Sequence, residues 1–263
     1  MFKNAAFLLI VCLGGWIQVS AQELPAQPPP YCNPCIFYSG DFDPNPQARP
    51  NGLLNGLFAG NVDGEVWVPF TVGNRIKISG LFINELFPSP PPPTAPTKWS
   101  IRAGVSEGDG GTEQCHGEGV ATATPTGRTF VFKETTYTEW TYLLKLPSSQ
   151  FCVLENAGSN LPFAGDLPPQ KGQCPPDCFV SVEPDTATGT EPAVSSGFLS
   201  DVPASGAQHH FGLPNVNDSS FFSSTSFGFN FVDARTACQN GPPLAITKVG
   251  CRMFSVGLLG RGQ

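Results

Sequence analysis

Side-chain oxygens near the amino terminus carry the most specific chemistry in this sequence. Asp41, Asp43, Asn45 and Asn51 offer hard donors, the first three at alternate positions. Ca2+ gathers about six to eight such oxygens, so calcium is the candidate cofactor. Pro46 stands where an EF-hand loop would continue, and the twelfth position is Gly52 rather than glutamate. The same residues fit a turn in which the aspartates cap backbone N–H groups, with Arg49 as a neutralising neighbour.

The remaining polar groups point to no catalytic set. Glu107 and Asp109 lie in the Gly-rich stretch Ser106 to Thr112. A glycosidase needs two carboxyl groups about 5–9.5 Å apart across a cleft, and acids two residues apart fit a solvated hairpin turn better. His116, His209 and His210 lack zinc-ligand spacing. Adjacent histidines on a strand also point to opposite faces. Cys32-Asn33-Pro34-Cys35 has the C-x-x-C spacing of redox and zinc sites. Its Pro-rich setting, with no strand-to-helix turn, reads instead as structural disulfides. Cys174-Pro175-Pro176-Asp177-Cys178 reads the same way. The phosphate-loop pattern G-x-x-x-x-G-K-[ST] is absent, and no Ser-centred G-x-S-x-G elbow is expected. Trp67, Trp99, Trp140 and Tyr142 fit either sugar stacking or core packing. Trp67 lies opposite the Val66–Val68–Phe70 face and is the candidate exposed, ligand-binding aromatic.

The amino terminus sets the compartment. Lys3, the apolar run Ala5 to Leu13, and Val19-Ser20-Ala21 before Gln22 have the anatomy of a secretory signal peptide over 1–21. The run is shorter than the ~20 residues of a membrane span, and no second apolar stretch of that length follows. After cleavage Cys32, Cys35, Cys115, Cys152, Cys174, Cys178, Cys238 and Cys251 remain. An even number in an exported chain reads as a disulfide framework whose connectivity the sequence leaves open.

Positioning falls to β-strands. Charged residues are 13% of the 263-residue chain, against about 25% in a typical globular protein. The Lys, Glu and Arg of long exposed helices are therefore scarce. The 29 glycines and 28 prolines supply turns, and 21 phenylalanines supply a core. The net charge of −7 argues against nucleic acid, whose phosphates are neutralised by Lys and Arg. Residues 22–35 form a Pro-rich leader, and 36–263 form one domain. Val66 to Val72 and Arg75 to Ser79 alternate around Gly73-Asn74 and predict a hairpin. Trp99 to Ala103, Thr138 to Leu146 and Cys178 to Val182 predict further strands, and Val120 to Thr124 and Thr129 to Lys133 flank a turn at Pro125-Thr126-Gly127. Short strands with Gly/Pro turns predict an all-β, antiparallel β-sandwich or jelly-roll-like domain, stapled by disulfides.

Several segments together carry a resemblance: Gly40-Asp41-Phe42-Asp43, Asn51-Gly52-Leu53, Ile76 to Phe82, Trp99 through Thr112, Thr124 to Arg128, and Phe221 with Phe229-Asn230-Phe231. In this order they resemble a group of uncharacterised secreted bacterial β-sandwich proteins, some with a carboxy-terminal sorting tail. The resemblance spans roughly 37–260 and implies compartment and fold, not an activity. This chain departs by inserting Pro44 to Pro50, by its extra cysteines between Ser148 and Cys178, and by ending at Gln263 without an apolar tail.

The expectation is an exported, non-enzymatic β-sandwich, secreted or periplasmic, with a surface, matrix or ligand-binding role. Carbohydrate or a cell-surface component is the candidate partner, with no membrane span. The alternative is an extracellular carbohydrate-active hydrolase.

Overall fold

The computed structural model describes residues 35–39, 53–54, 56–58, 62–132, 135–156, 170–174, 177–186, 196–197, 220–224, 228–233 and 255–262. Asp41, Asp43, Asn45, Asn51, Cys32, Cys238, Cys251, His209 and His210 lie outside them. The strands are β1 (Cys35–Tyr38), β2 (Leu53–Leu54), β3 (Gly56–Phe58), β4 (Val62–Thr71), β5 (Arg75–Phe87), β6 (Thr94–Ala103), β7 (Thr112–Phe132) and β8 (Thr135–Lys145). They continue as β9 (Cys152–Asn156), β10 (Gln173–Cys174), β11 (Asp177–Pro184), β12 (Ser196–Gly197), β13 (Phe221–Ser224), β14 (Phe229–Asp233) and β15 (Val256–Gly262). Among the described residues the helical structure is one 3-10 turn, Ser148–Gln150, and no helix is long and apolar enough to cross a membrane.

The fold is all-β, as the composition requires. Hydrogen bonding runs through the order β1-β15-β5-β8-β7-β6-β11-β4-β13-β14, with antiparallel neighbours along the whole path. The pairing does not divide these strands into two stacked sheets. Instead the sheet curls. Phe37 on β1 and Phe70 on β4 are seven places apart in that order, yet their rings stand 5.7 Å apart. A flat sheet would separate those strands by about 33 Å. One core fills the curl, with Ile78, Leu81, Ile83, Trp99, Ile101, Tyr142, Leu144, Val180 and Leu258 all buried in it.

Alternation explains the single strands well. Along β6 every second residue from Ala95 to Ala103 is buried. Trp140, Tyr142 and Leu144 point inward from β8 as their spacing predicts. β5 is buried on both faces from Gly80 to Phe87, so its pattern becomes a continuous apolar run interrupted by Asn84 and Glu85.

Two expected turns are corrected. Val66–Val72 and Arg75–Ser79 are not a hairpin: β4 pairs with β3, β11 and β13, whereas β5 pairs with β8, β9, β12 and β15. At Val72 to Asn74 the chain leaves one part of the sheet for another. Pro125-Thr126-Gly127 does not end a strand either, because β7 runs through it. The ladder to β8 jumps from Pro125↔Trp140 to Thr129↔Thr138, which makes the segment a bulge. Gly127 takes φ +82° there, a left-handed conformation that suits glycine in a bulge as it would in a turn.

Candidate functional site

Trp67 is the first site residue the structure corrects. It does lie opposite Val66, Val68 and Phe70, but it is 2% exposed. A second cluster covers it, made of Val105, Phe179 and Phe231 with Phe221 against them. The Trp67 and Phe231 rings are 5.6 Å apart. The Arg102 guanidinium lies 5.3 Å from the indole and 5.8 Å from the Phe231 ring. The indole N–H donates to Glu65 Oε2 at 3.3 Å. No face of Trp67 is open for a sugar ring to stack on.

The Gly-rich turn between β6 and β7 closes this cluster. Arg102 Nη1 donates to the Gly110 carbonyl at 3.2 Å. Gly108 N–H donates to the Phe231 carbonyl, and Asn230 Nδ2 donates to the Gly108 carbonyl at 2.8 Å. Asp109 Oδ1 accepts the Gly111 N–H at 2.9 Å, which is the turn-shaping role expected of it. A Cβ on Gly110 would meet the Phe231 ring at 2.6 Å, and Gly111 has φ +61° with the Ala103 carbonyl in the way. Phe231 itself has φ +46°, rare for a bulky residue. Its ring and carbonyl are both held by the turn.

The expectation that no Ser-centred G-x-S-x-G occurs is corrected as to the spacing, which this turn contains. Gly104-Val105-Ser106-Glu107-Gly108 matches G-x-S-x-G, the nucleophile elbow of a hydrolase. An elbow joins a strand to a helix, whereas this segment joins two antiparallel strands, and Ser106 and Asp109 bond each other's backbone at 2.9 and 3.0 Å. His116 is elsewhere on β7, with Nδ1 2.6 Å from Glu113 Oε1, both side chains largely exposed. Among the described residues no three His, Cys, Asp or Glu side chains are grouped to hold a metal.

Among the described residues two carboxylates are buried, Glu85 and Glu139. Glu85 sits opposite Trp140 and Leu86 opposite Glu139, so the two acids occupy opposite faces of the sheet. The bulge serves Glu139: Thr126 Oγ1 donates to its Oε2 at 2.8 Å, and Arg128 Nη1 lies 3.7 Å from the same oxygen. Glu85 shares the inner face with Tyr142. Burial, and secondarily the Glu85 charge, push the Tyr142 hydroxyl far above its ordinary range. That hydroxyl donates to the Pro92 carbonyl at 3.0 Å.

On the outer face β1, β15, β5 and β8 bury a polar network. Asn84 Nδ2 donates to Ser255 Oγ at 2.8 Å and to the Tyr38 hydroxyl at 3.2 Å, and Asn84 Oδ1 accepts from Thr141 Oγ1 at 2.6 Å. Ser39 Oγ bonds the Val256 backbone at both its N–H and its carbonyl. These contacts join both ends of the described chain to its centre.

The cysteines divide as follows. Cys115 bonds Cys152, and Cys174 bonds Cys178. Cys35, on β1, is also disulfide-bonded. Gln114, which the sequence reading does not single out, works beside the first bridge. It is the extra residue of a β7 bulge, since Ile101 pairs with Cys115 and Arg102 with Glu113. Its side chain is buried, and its Oε1 accepts the N–H groups of Gly172 at 2.7 Å and Gln173 at 3.2 Å.

No family model, no curated protein and no solved structure matches this chain.

Proposed function

We propose that this chain is an exported, non-enzymatic β-sheet protein with a surface, matrix or ligand-binding role. The observation that carries the reading is covalent: the Cys115–Cys152 and Cys174–Cys178 bridges, with Cys35 bridged as well. Such frameworks persist in oxidising compartments, which agrees with the signal-peptide anatomy of residues 1–21 and with the resemblance to secreted bacterial proteins. The hydrolase alternative draws no support from the buried acids. Glu85 and Glu139 face opposite sides of the sheet, so they cannot flank one glycosidic bond.

Amino-terminal sequencing of the exported protein gives a start near Gln22, and a mature chain beginning at Met1 overturns the export reading. A panel of glycans and cell-wall polymers, screened with and without calcium, then tests the role. Retention of one polymer without turnover supports it, whereas release of sugar products from any of them restores the hydrolase.

Calcium enters through Asp41 and Asp43. At about ten times a Kd of about 10⁻⁴–10⁻³ M the ion stabilises by about 1.4 kcal/mol, or about 3–5 °C in Tm. The shift disappears in Asp41→Ala and Asp43→Ala. An equal shift in the variants assigns these residues to a turn alone.

A further inference from the structure

A seam runs through the sheet where β7 should have a second neighbour. Its carboxy-terminal half pairs with β8 from Thr122 onward, and its amino-terminal half pairs with β6 on one side. The chain leaving β8 does not continue along β7. After Leu146 to Phe151 it resumes as β9, on the same edge of β5 that β8 occupied: Gly80 pairs with Lys145 and Ile78 with Cys152. β10 then adds to β9 in parallel. Among the described residues no backbone ladder joins β7 to β9 or β10.

Two side chains take the place of that ladder. Gln114, aimed by its bulge, accepts the two N–H groups at Gly172 and Gln173. One residue on, Cys115 bonds Cys152. At the far end of the same segment Cys174 bonds Cys178, tying β10 to β11. The bridges differ in access at one sulfur. Cys174 and Cys178 are both 0% exposed, and Cys152 is 2% exposed, whereas Cys115 is only partly buried, which leaves its side of the bridge as the point of attack. β9 and β10 contribute only short ladders, four pairs to β5 and two to each other. β5 keeps long ladders to β8 and β15 without them.

We propose that the Cys115–Cys152 disulfide is a reducible latch on this seam: a dithiol opens it and frees β9 and β10 from β7 while the rest of the sheet stays folded. In the step, one thiolate of the dithiol attacks a sulfur of the bridge to give a mixed disulfide. The second thiol closes onto the first, leaving Cys115 and Cys152 as thiols and the reductant as a cyclic disulfide, with two electrons and two protons transferred. Local opening of this kind draws on the least interconnected part of a fold.

The test uses the oxidised mature protein with dithiothreitol in graded amounts, native buffer and iodoacetamide quenching, followed by mass mapping and hydrogen exchange. Cys115 and Cys152 take label while Cys174 and Cys178 do not. In that species exchange at 152–156 and 170–174 speeds up by about tenfold or more, while 80–87 and 138–145 keep their protection. Four results overturn the latch: label on Cys174 and Cys178 together with or before the pair, loss of protection throughout the sheet at the moment of reduction, no label until global unfolding, or label on the pair with unchanged exchange at 152–156.

Discussion

Phe37 and Phe70 pack at 5.7 Å with their rings tilted by 37°, although they are 33 positions apart in sequence and seven places apart in strand order. Both side chains are fully buried. The contact joins the strand at one end of the sheet to one deep in the other half. Curling thereby closes one apolar face over a common core, while Trp67 and Tyr38 pack in separate clusters on the other face.

Truncation of either ring measures that closure. Phe37→Ala and Phe70→Ala each cost about 3–5 kcal/mol in urea unfolding. The double variant costs less than the sum by about 0.5–1.5 kcal/mol, the coupling of one aromatic pair. Strict additivity would mean that the two rings close the curl independently.

Alkaline pH tests Tyr142. Burial and then the Glu85 charge hold its hydroxyl protonated in the fold, whereas in the unfolded chain it ionises near pH 10 (about the free-tyrosine value). Above that pH the unfolded state binds fewer protons than the folded one, so stability falls as pH rises, by up to about 1.4 kcal/mol per pH unit. Below it the group contributes no slope. Tyr142→Phe removes the slope and, at neutral pH, costs about 0.5–1.5 kcal/mol for the lost bond to Pro92. Equal alkaline slopes in parent and variant count against this origin.

The outer-face network predicts an asymmetry. Asn84→Ala removes three buried side-chain hydrogen bonds at once, to Tyr38, Ser255 and Thr141, and costs about 2–3 kcal/mol. Ser255→Ala removes one acceptor among several contacts and costs about 1 kcal/mol. Chemical denaturation at neutral pH ranks them, and a larger loss from Ser255→Ala contradicts the central place of Asn84.

Two glycines of one turn separate space from conformation. Gly108 and Gly111 both have positive φ, but a Cβ at Gly108 meets nothing within 4 Å, whereas at Gly111 it lands 2.3 Å from the Ala103 carbonyl. Gly108→Ala therefore costs about 1 kcal/mol of backbone strain. Gly111→Ala costs more, about 3 kcal/mol or above, because main chain must move. Thermal melts distinguish them, and similar shifts would place the strain in φ alone.

Much of the local structure was legible. Trp99 to Ala103 and most of Thr138 to Leu146 form the strands expected of them, and Trp140, Tyr142 and Leu144 share one face, which is the inner one. Trp67 misled because alternation names two faces without saying that both are covered. Its cover comes from Phe231 on β14 and from the turn after β6, far along the chain. Gln114 gave no signal, since a bulge exists only in the register between two strands.

By itself the sequence determined the class of structure: scarce charge, abundant Phe, Gly and Pro, and two-residue periods leave little besides short strands joined by turns. Its cysteines determined that covalent bridges were available. Only the tertiary structure decided which strands are neighbours, that Gly73-Asn74 starts a crossing rather than a hairpin, and that Cys115 meets Cys152. The reason is physical. Side-chain period fixes which face of a strand is apolar. Neighbours are chosen by how those faces close over a common core, and that choice involves residues such as Phe37 and Phe70 that no local pattern connects.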